Sequence, residues 1–419
     1  MSLESLRKDV VSAVDSMRDE LLALSHAIHG EPEVSLEEFK AAARLSGAVA
    51  GHDIAVTREA FGMPTAYAAE FGKQGGPVVA ILSEYDALPG IGHACGHNII
   101  ASAGYGAAIA LSKLGSQLPG VVRYLGTPAE ESHGGKEVMA RQGAFDRADA
   151  AMMIHPSNLN LVTMPCIAVS EVEAIYHGRA SHASAMPFRG LNALDAVVTA
   201  YQSIAQLRQH IRNTERIHGI ITDGGMAPNI VPERAACRYY VRAADANELA
   251  PLKERVQACF EAGALATGCR LEINWSGVDY LDLKTNWPLA EVFERHARAV
   301  GREFFPLKDI PQGFAGSTDM GNVSHRIPSI HPMLAVAPVG VIIHNPEFAL
   351  WAASDRGDAA VIDGAKTLAL TALELMADGA LMNSVRADFE ATAELSKMAV
   401  AKTGDKPHHG HVHGGCGCA

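Results

Sequence analysis

The sequence predicts an α/β protein in which a doubly wound, mainly parallel sheet is interrupted by an inserted ferredoxin-like α+β domain. Short apolar segments of strand length alternate with helical segments through residues 1–171. Residues 172–286 show a βαββαβ order of predicted elements, which is the order of a ferredoxin-like sandwich. The alternation resumes in residues 287–403, so the chain returns to complete the first domain, and residues 404–419 form a separate tail.

Periodicity and capping residues place the elements of the first part. Apolar side chains spaced by three and four residues from Val10 to Ile28 predict one amphipathic opening helix. A uniformly apolar segment, typical of a parallel strand covered on both faces, lies at 78–82, and two more strands are expected at 121–125 and 150–154. Helices are expected over residues 37–49 and 98–114, with Asn98 placed to cap the second.

The later elements follow from the same patterns. The insertion is expected to contain strand 171–176, helix 192–211, strands 217–223 and 234–242, helix 247–267 and strand 270–275. After it come helix 289–300, an apolar segment at 333–336 and a closing helix over 355–378. The tail holds four histidines and two cysteines among glycines and cannot form a core, so we expect a mobile extension. Chelation of a soft metal by this tail stays an open alternative.

Composition excludes several classes of protein. With 419 residues, 48% of them hydrophobic, the chain can bury a core large enough for two domains. A net charge of −12 without a Lys/Arg cluster argues against nucleic acid and anionic membranes as partners. No apolar run approaches the roughly 20 residues of a membrane helix, and the first residues lack the apolar core of a signal peptide. Seven cysteines without a disulfide framework predict a reducing, cytoplasmic location.

Metal-ligand residue types follow the first predicted strand. Cys95 and His97 lie two residues apart a short way beyond it, and Glu84 and Asp86 come directly after it. A thiolate and an imidazole in such proximity suit zinc, manganese or their neighbours. The sequence therefore predicts that a metal site begins here.

Further ligand types follow the other two strands. Glu130 and Glu131 come after the second strand, His155 directly follows the third, and His344 lies in the final part. Because the carboxyl ends of parallel strands meet at one edge of the sheet, we expect these side chains to converge. For any one of these residues alone, a satisfied core histidine or a solvated carboxylate is the favoured interpretation. Several ligand types at successive strand ends favour a metal site.

Longer motifs connect this pattern to a known family. The chain contains the segments YDALPGIGHACGHN (85–98), GTPAEE (126–131), GRASHA (178–183), NALDA (192–196), GMAPNIVP (225–232) and STDMG (317–321). In these motifs and their order it resembles the aminoacylase-like family of metallopeptidases and amidohydrolases. The branch it resembles holds auxin-conjugate amidohydrolases, p-aminobenzoyl-glutamate hydrolases and β-alanyl-lysine dipeptidases. The likeness extends from about residue 20 to 380, leaving only the tail outside it.

The resemblance implies one or two divalent metal ions, manganese or zinc, in each subunit. The thiolate that matches Cys95 bridges two metals in this branch, and their ligands are completed by residues matching His97, Glu131, His155 and His344. It also implies that residues 1–171 and 287–403 form a catalytic domain and that the insertion is a lid and dimerisation domain. We therefore expect a homodimer or a higher homo-oligomer.

The resemblance further implies roles for residues beside the metal ligands. Glu130 matches the general base, and Asp86 matches an acidic residue that orients a ligating histidine. His182 matches a histidine that reaches the neighbouring subunit's site in dimeric relatives and steadies the developing oxyanion. Asn229 and Arg242 lie near positions that hold the substrate's carboxylate or carbonyl.

Some positions depart from the family pattern. Glu84 stands where more distant relatives have a metal-binding histidine, and its role is open. His133 follows the glutamate pair where relatives have glycine, so three roles remain for it: selecting the substrate, supplying an extra ligand, or lying exposed. His93, His325 and His331 are expected to be packed or structural histidines.

The favoured function is hydrolysis of an amide bond in a small N-acyl amino acid, dipeptide or aryl-amide conjugate, by metal-activated water with Glu130 as general base. The alternative is hydrolytic deamination, in which ammonia leaves an activated aromatic amine; the departure at His133 leaves room for it. A non-catalytic metal-binding protein is a third hypothesis, but neither a ligand nor the base is missing. Short connections between elements predict small-molecule substrates.

Overall fold

The computed structural model describes residues 2–310 and 315–403. These residues form two compact units. One comprises residues 2–165 and 283–397 apart from the gap, and the other comprises residues 166–282 and 398–403. We refer to them as the first unit and the second unit. The predicted tail lies outside the described residues.

The helices and strands follow one another along the chain. Up to residue 165 they are α1 (Leu3–Ser16), α2 (Arg18–Gly30), α3 (Phe39–Ala50), β1 (Val56–Arg58), β2 (Tyr67–Gly72), β3 (Val78–Ser83), α4 (His97–Ser112), β4 (Val121–Gly126), α5 (Gly135–Arg141), β5 (Ala150–Met152) and β6 (His155–Ser157). Next come β7 (Ala168–His177), α6 (Ala193–Leu207), β8 (Arg216–Asp223), β9 (Arg234–Ala243), α7 (Ala246–Thr267) and β10 (Arg270–Trp275). The remaining elements are α8 (Trp287–Ala299), α9 (Met320–Ser324), β11 (Ser329–Ile330), β12 (Met333–Ala335), α10 (Pro346–Ala352), α11 (Asp355–Ala377), α12 (Gly379–Glu390) and α13 (Ala393–Ala401).

The first unit is built on a sheet with the strand order β1-β2-β4-β3-β5-β11. Strands β4, β3, β5 and β11 run parallel, while β1 and β2 add an antiparallel edge. The apolar residues of β3 and β4 are buried, and α4 and α11 contribute to the same core. Burial on both faces explains why these strands are mainly apolar; the exception is Arg123, which pairs with Glu70. The predicted doubly wound, mainly parallel sheet is confirmed.

The second unit contains an antiparallel sheet with the order β10-β7-β9-β8. Counted within the insertion, this is strand order 4-1-3-2, and α6 and α7 pack their apolar residues against one face of the sheet. The order βαββαβ with this topology is the ferredoxin-like sandwich that the sequence predicts.

Two local predictions were wrong. The opening helix is divided into α1 and α2 at Met17, whose backbone angles (φ −99°, ψ 8°) leave the helical range although the apolar spacing continues across it. Helix α4 begins one residue early, and its N-cap is Gly96 in the left-handed region (φ 77°). The Asn98 amide donates hydrogen bonds to Ser25 Oγ (2.9 Å) and to the carbonyl of Ala352 (3.0 Å), so it ties helices together instead of capping one.

The length and the apolar character of the helices determine whether any of them could cross a membrane. Among the residues that the structure describes, no helix combines the length and the apolar character needed to cross a bilayer.

Candidate metal centre

Three neighbouring parallel strands bring the predicted residues to one edge of the sheet. Glu84 and Asp86 follow β3, Glu130 and Glu131 follow β4, and His155 begins β6 just after β5. Because β4, β3 and β5 are parallel neighbours, their carboxyl ends lie side by side. All five side chains are buried, which is rare for carboxylates unless they are paired or hold an ion.

Cys95 and His97 reach this edge from the turn before α4. Cys95 Sγ lies 3.4 Å from His155 Nε2, and His97 is the first residue of α4. Gly96, between them, has a φ of 77°, and a Cβ atom there would stand 2.5 Å from the Pro156 side chain. Glycine is therefore required for the turn that points both ligands at the site.

The potential ligand atoms form two groups that share Cys95. One group consists of Cys95, His97 and His155, and the other of Cys95, Glu131 and His344. Within each group the ligand atoms lie within 4.8 Å of one another. His344 Nε2 is 3.6 Å from Glu131 Oε2, and the His344 backbone has a φ of 63°, a strained conformation for histidine.

Two of the three histidines in these groups, His155 and His344, are held in the neutral form. Burial, followed by the charge of His97, lowers the pKa of His155 to about 3 and that of His344 to about 4. His155 Nδ1 lies 2.7 Å from the carbonyl oxygen of Pro156, to which it donates when its proton is on Nδ1, so Nε2 faces Cys95 as a lone-pair donor. Neutral imidazole is the form that binds metals.

Asp86 organises two of the ligands. Its Oδ1 lies 3.1 Å from His97 Nδ1, and its Oδ2 accepts hydrogen bonds from Ser35 Oγ (2.7 Å) and from the main-chain N–H of Glu131 (2.9 Å). Burial opposes ionisation of Asp86. The hydrogen bond to His97 and the charge of His97 outweigh the effect of burial, so the pKa of Asp86 lies below its ordinary value. An ionised Asp86 fixes the His97 proton on Nδ1 and leaves Nε2 for a metal.

Glu130 stands beside the two Cys95 groups and belongs to neither. Its carboxylate oxygen lies within 4.8 Å of ligand atoms of Glu84 and His97, and only 7% of the residue is exposed. Burial, then the charges of Glu84 and Glu131, raise the pKa of Glu130 well above its ordinary value.

The donor set fits a divalent cation. His97 Nε2 and Glu84 Oε2 are buried without a hydrogen-bond partner among the described residues, and they face each other at 3.6 Å. The fully buried Lys136 donates a hydrogen bond to Glu84 Oε1 and another to Asp319 Oδ1 (2.7 Å). That single lysine does not balance the buried carboxylates around it. Thiolate, imidazole and carboxylate ligands together suit zinc or manganese at this place.

Two other histidines lie near this centre. His133 is half-buried, its Nδ1 lies 2.6 Å from Ser132 Oγ, and it is in none of the ligand groups found among the described residues. His331 is buried, and its ring stands edge-on to that of His155 at 5.3 Å.

His182 and Asn229 lie together in the second unit. His182 is exposed, and its Nδ1 accepts the main-chain N–H groups of Ser184 and Ala185, each at 3.3 Å. The ring proton is therefore on Nε2, which points outward as a donor. The main-chain carbonyl of Asn229 accepts the N–H of Ala183, so both residues belong to one loop cluster.

Arg242 is not brought to this cluster. It lies near the end of β9, and its Nε donates to His218 Nε2 at 3.2 Å. Asn229 precedes the start of the same strand. At about 3.3 Å per residue, the strand between Arg234 and Arg242 alone spans roughly 26 Å.

Sequence reasoning missed Glu38 and Lys136. Both are fully buried beside the centre, and Glu38 accepts the main-chain N–H of Ala129 at 2.8 Å. Glu38 lies in a polar stretch that looks like an ordinary solvated helix start, so its pattern contains no signal. Lys136 is the second residue of α5 and follows a glycine pair, and a single lysine in such a place gives no sign of burial.

A buried Cys, His and carboxylate set at the carboxyl ends of a parallel sheet, with a spare carboxylate beside it, is the arrangement of a metal-dependent hydrolase. The sequence model of peptidase family M20/M25/M40 matches residues 80–374, more than half of the chain. The chain belongs to this family and is a metal-dependent hydrolase that acts on C–N bonds. The resemblance predicted from the motifs is confirmed.

Individual relatives support this assignment. The chain is 39% identical over 409 residues to Xaa-Arg dipeptidase of Mus musculus, and the match covers 94% of this chain and 95% of that protein. It is 28% identical over 464 residues to a component of the p-aminobenzoyl-glutamate hydrolase of Escherichia coli strain K12, with 94% and 96% covered. Among solved structures, a dinuclear metal-binding peptidase of family M20 from Bacillus subtilis matches with a TM-score of 0.65 and 20% identity, covering 87% of this chain and 99% of that one. This last likeness concerns the fold.

Proposed function

We propose that this chain is a dinuclear dipeptidase that releases a basic C-terminal amino acid from small dipeptides. The observation that carries the proposal is the position of Cys95, whose sulfur belongs to both ligand groups. A thiolate shared in this way suits two ions, manganese or zinc, with His97 and His155 on one side and Glu131 and His344 on the other. The substrate class rests on the 39% identity to Xaa-Arg dipeptidase over nearly the whole chain.

The residues of the chain divide the chemistry between them. A bound divalent ion supplies Lewis acidity, which polarises the scissile carbonyl and makes water easier to deprotonate. Glu130 removes the proton from the attacking water and then returns it to the leaving nitrogen. Glu131 binds the metal in this proposal and is not available as a base, so the two adjacent glutamates have separate tasks.

The exposed loop cluster of the second unit supplies the remaining groups. The outward Nε2–H of His182 donates to the carbonyl oxygen as negative charge develops on it, in the site of the neighbouring subunit. Asn229 acts beside it on the substrate's carboxylate or carbonyl. One small substrate cannot touch both Asn229 and Arg242 of the same subunit, because most of β9 separates them. We therefore assign this contact to Asn229.

A homodimer is part of the proposal. Strand β8 is at the edge of its sheet and exposes Ile220 (65%) and Ile221 (43%), and α6 of the same unit exposes Val198 (44%) and Tyr201 (37%). An apolar surface beside a free strand edge is typical of an interface. A reducing, cytoplasmic location agrees with the five free thiols of the described residues, which are Cys95, Cys166, Cys237, Cys259 and Cys269.

The test is a substrate panel on protein loaded with Mn²⁺ or Zn²⁺. We expect release of free arginine or lysine from dipeptides that end in these residues, with slower cleavage of dipeptides that have neutral or acidic C-terminal residues. Glu130→Gln protein, prepared identically, is the control for contaminating peptidases. Cleavage confined to acidic or neutral leaving amino acids would contradict the substrate class.

The same panel tests deamination. Aromatic amines are included, and ammonia is measured beside the carboxylic acid and amine products. Deamination is not favoured, because Xaa-Arg dipeptidase and p-aminobenzoyl-glutamate hydrolase are both named for cleavage of amides. Ammonia release without amide cleavage would overturn the proposal and leave the metal centre in place.

A further inference from the structure

The turn that carries Glu130 is held on both sides by buried carboxylates. Glu38 Oε1 accepts the main-chain N–H of Ala129 at 2.8 Å, and Asp86 Oδ2 accepts the main-chain N–H of Glu131 at 2.9 Å. Glu130 is the residue between these two anchored peptides. Its position therefore depends on both contacts, although neither touches its side chain.

The backbone at Ala129 needs such an anchor. Its φ of 62° lies in the left-handed region, which costs free energy for a residue with a side chain. The Ala129 carbonyl also accepts the N–H groups of His133 (3.3 Å) and Gly135 (3.2 Å), which closes the turn. Strained backbone of this kind persists only where surrounding groups hold it, and Glu38 provides one of them.

Glu38 is placed for this contact at a cost. The residue is fully buried, and its second oxygen accepts a hydrogen bond from Thr65 Oγ1 at 3.0 Å. Burial, then the charge of Asp86, raise the pKa of Glu38 to about 8. The Ala129 N–H and the Thr65 hydroxyl, which donate to it, carry no charge. Burying the Glu38 carboxyl costs free energy, and this carboxyl contacts the strained turn at Ala129. Both facts indicate that Glu38 has a specific role in holding that turn.

The segment that carries Glu38 also supports the other anchor. Ser35 Oγ donates to Asp86 Oδ2 at 2.7 Å, and the carbonyl of Glu33 accepts the main-chain N–H of Ala87 at 2.8 Å. One short stretch before α3 thus contacts both sides of the turn, through Glu38 on one side and through Asp86 on the other.

We infer that Glu38 is a positioning residue, which holds the Ala129 peptide so that the Glu130 carboxylate keeps the place of the general base. The inference rests on the proposed function of Glu130. Loss of the Ala129 contact lets the strained turn relax and displaces Glu130, whereas the ligands contributed by Cys95, His155 and His344 are anchored elsewhere.

The experiment compares Glu38→Met with Glu38→Gln in metal-loaded protein. Methionine fills the volume but accepts no hydrogen bond from Ala129. Glutamine keeps a carbonyl oxygen for Ala129 and an amide group for Thr65. The matched control is Glu374→Met, which removes another buried carboxylate, one that accepts hydrogen bonds from Arg7 and Arg295 in the first unit.

We expect Glu38→Met to lower kcat about 10- to 100-fold, the scale of a misplaced catalytic group, with KM and bound metal unchanged. Hydrogen exchange at the amides of Ala129 and Glu131 should become faster. Glu38→Gln should retain most of kcat and slow exchange. Glu374→Met should lower Tm without changing exchange in the turn. Should Glu38→Met not fold, Glu38→Asp, which is too short to reach Ala129, replaces it.

Unchanged kcat and exchange in folded Glu38→Met protein would overturn the inference, and so would an equal loss of kcat in Glu38→Gln or a parallel loss of metal. Failure of the proposed function looks different. In that case wild-type protein cleaves no dipeptide, while the exchange measurement still decides whether Glu38 holds the turn.

Discussion

Asp86 Oδ1 lies 3.1 Å from His97 Nδ1, and both side chains are completely buried. The other oxygen of the same carboxylate accepts the main-chain N–H of Glu131. One carboxylate therefore sets the proton position of one predicted ligand and the backbone position of another. Asp86 therefore links the two ligand groups from outside, in addition to the Cys95 sulfur that both groups share.

Asp86→Asn should weaken metal binding about 10- to 100-fold, the usual effect of losing a group that orients a ligating histidine. The asparagine has nearly the same shape but no charge to hold the proton on His97 Nδ1. Competition with a chromophoric chelator measures the affinity. Asp363→Asn, which changes a carboxylate that pairs with Arg302, serves as control. Equal affinities for the two variants would contradict the role of Asp86.

Glu130→Gln should retain bound metal and lose at least about 10²-fold in kcat, the scale of lost general acid/base catalysis. Glutamine preserves the size of the side chain and cannot take a proton from water. Metal analysis and steady-state kinetics on the same preparation separate binding from chemistry. Loss of metal in proportion to activity would identify Glu130 as a ligand.

Mixing two inactive variants should restore activity if the site is shared between subunits. In a mixed dimer of His182→Ala and Glu130→Gln chains, one site receives an intact His182 and an intact Glu130. Subunit exchange under mild denaturation, followed by assay, should recover up to about one quarter of wild-type activity for random pairing across a dimer interface. A protein that is active as a monomer, or no recovery after proven exchange, would count against a shared site.

Lys136→Met should destabilise the protein by about 3–5 kcal/mol, since it leaves Glu84 and Asp319 as uncompensated buried charges. Denaturant unfolding measures the change in the free energy of unfolding. Adding Glu84→Gln to Lys136→Met removes one of the stranded charges and should recover part of the loss. If the single and double variants were equally unstable, the lysine would not be acting through its charge.

The stability of the wild-type protein should depend on pH through Glu38. Burial and the charge of Asp86 raise its pKa to about 8 from the ordinary value of 4.5. Between these values the folded protein keeps a proton that the unfolded chain has released, so this carboxyl makes the free energy of unfolding fall as pH rises. The Glu38→Gln variant has no carboxyl at this position, so its free energy of unfolding does not fall with rising pH for this reason. Its Tm, measured without metal, should rise relative to wild type from about pH 5 to about pH 8. Parallel Tm profiles would contradict the raised pKa.

The sequence was sufficient to predict where the candidate metal ligands converge. Parallel strands put successive segments at one edge, so residues as distant as Cys95 and His155 were expected to be neighbours, and their side chains lie 3.4 Å apart. The ferredoxin-like sandwich of the insertion was also predicted from its βαββαβ order, and the observed strand order 4-1-3-2 agrees with it. Both inferences depend on local periodicity and on general rules of connection.

Contacts made across long sequence distances were beyond this reasoning. Glu38 meets Ala129 over 91 residues, and Lys136 meets Asp319 over 183, and neither pair has a periodic pattern that marks it. The break at Met17 was missed because the apolar spacing does not change there. The separation of Asn229 and Arg242 was already contained in the predicted strand 234–242, but their roles were taken from the family resemblance and were not compared with the length of that strand.

At His344, one of the proposed metal ligands, the left-handed backbone sets stability and metal affinity against each other. Glycine adopts a φ of 63° without strain, whereas histidine there costs on the order of 1–3 kcal/mol, so the metal-free chain would fold more easily with glycine at residue 344. A laboratory evolution campaign that selects only for heat resistance, in medium stripped of metal, would tend to discard this histidine. Campaigns for a sturdier catalyst should therefore keep the ions present throughout selection.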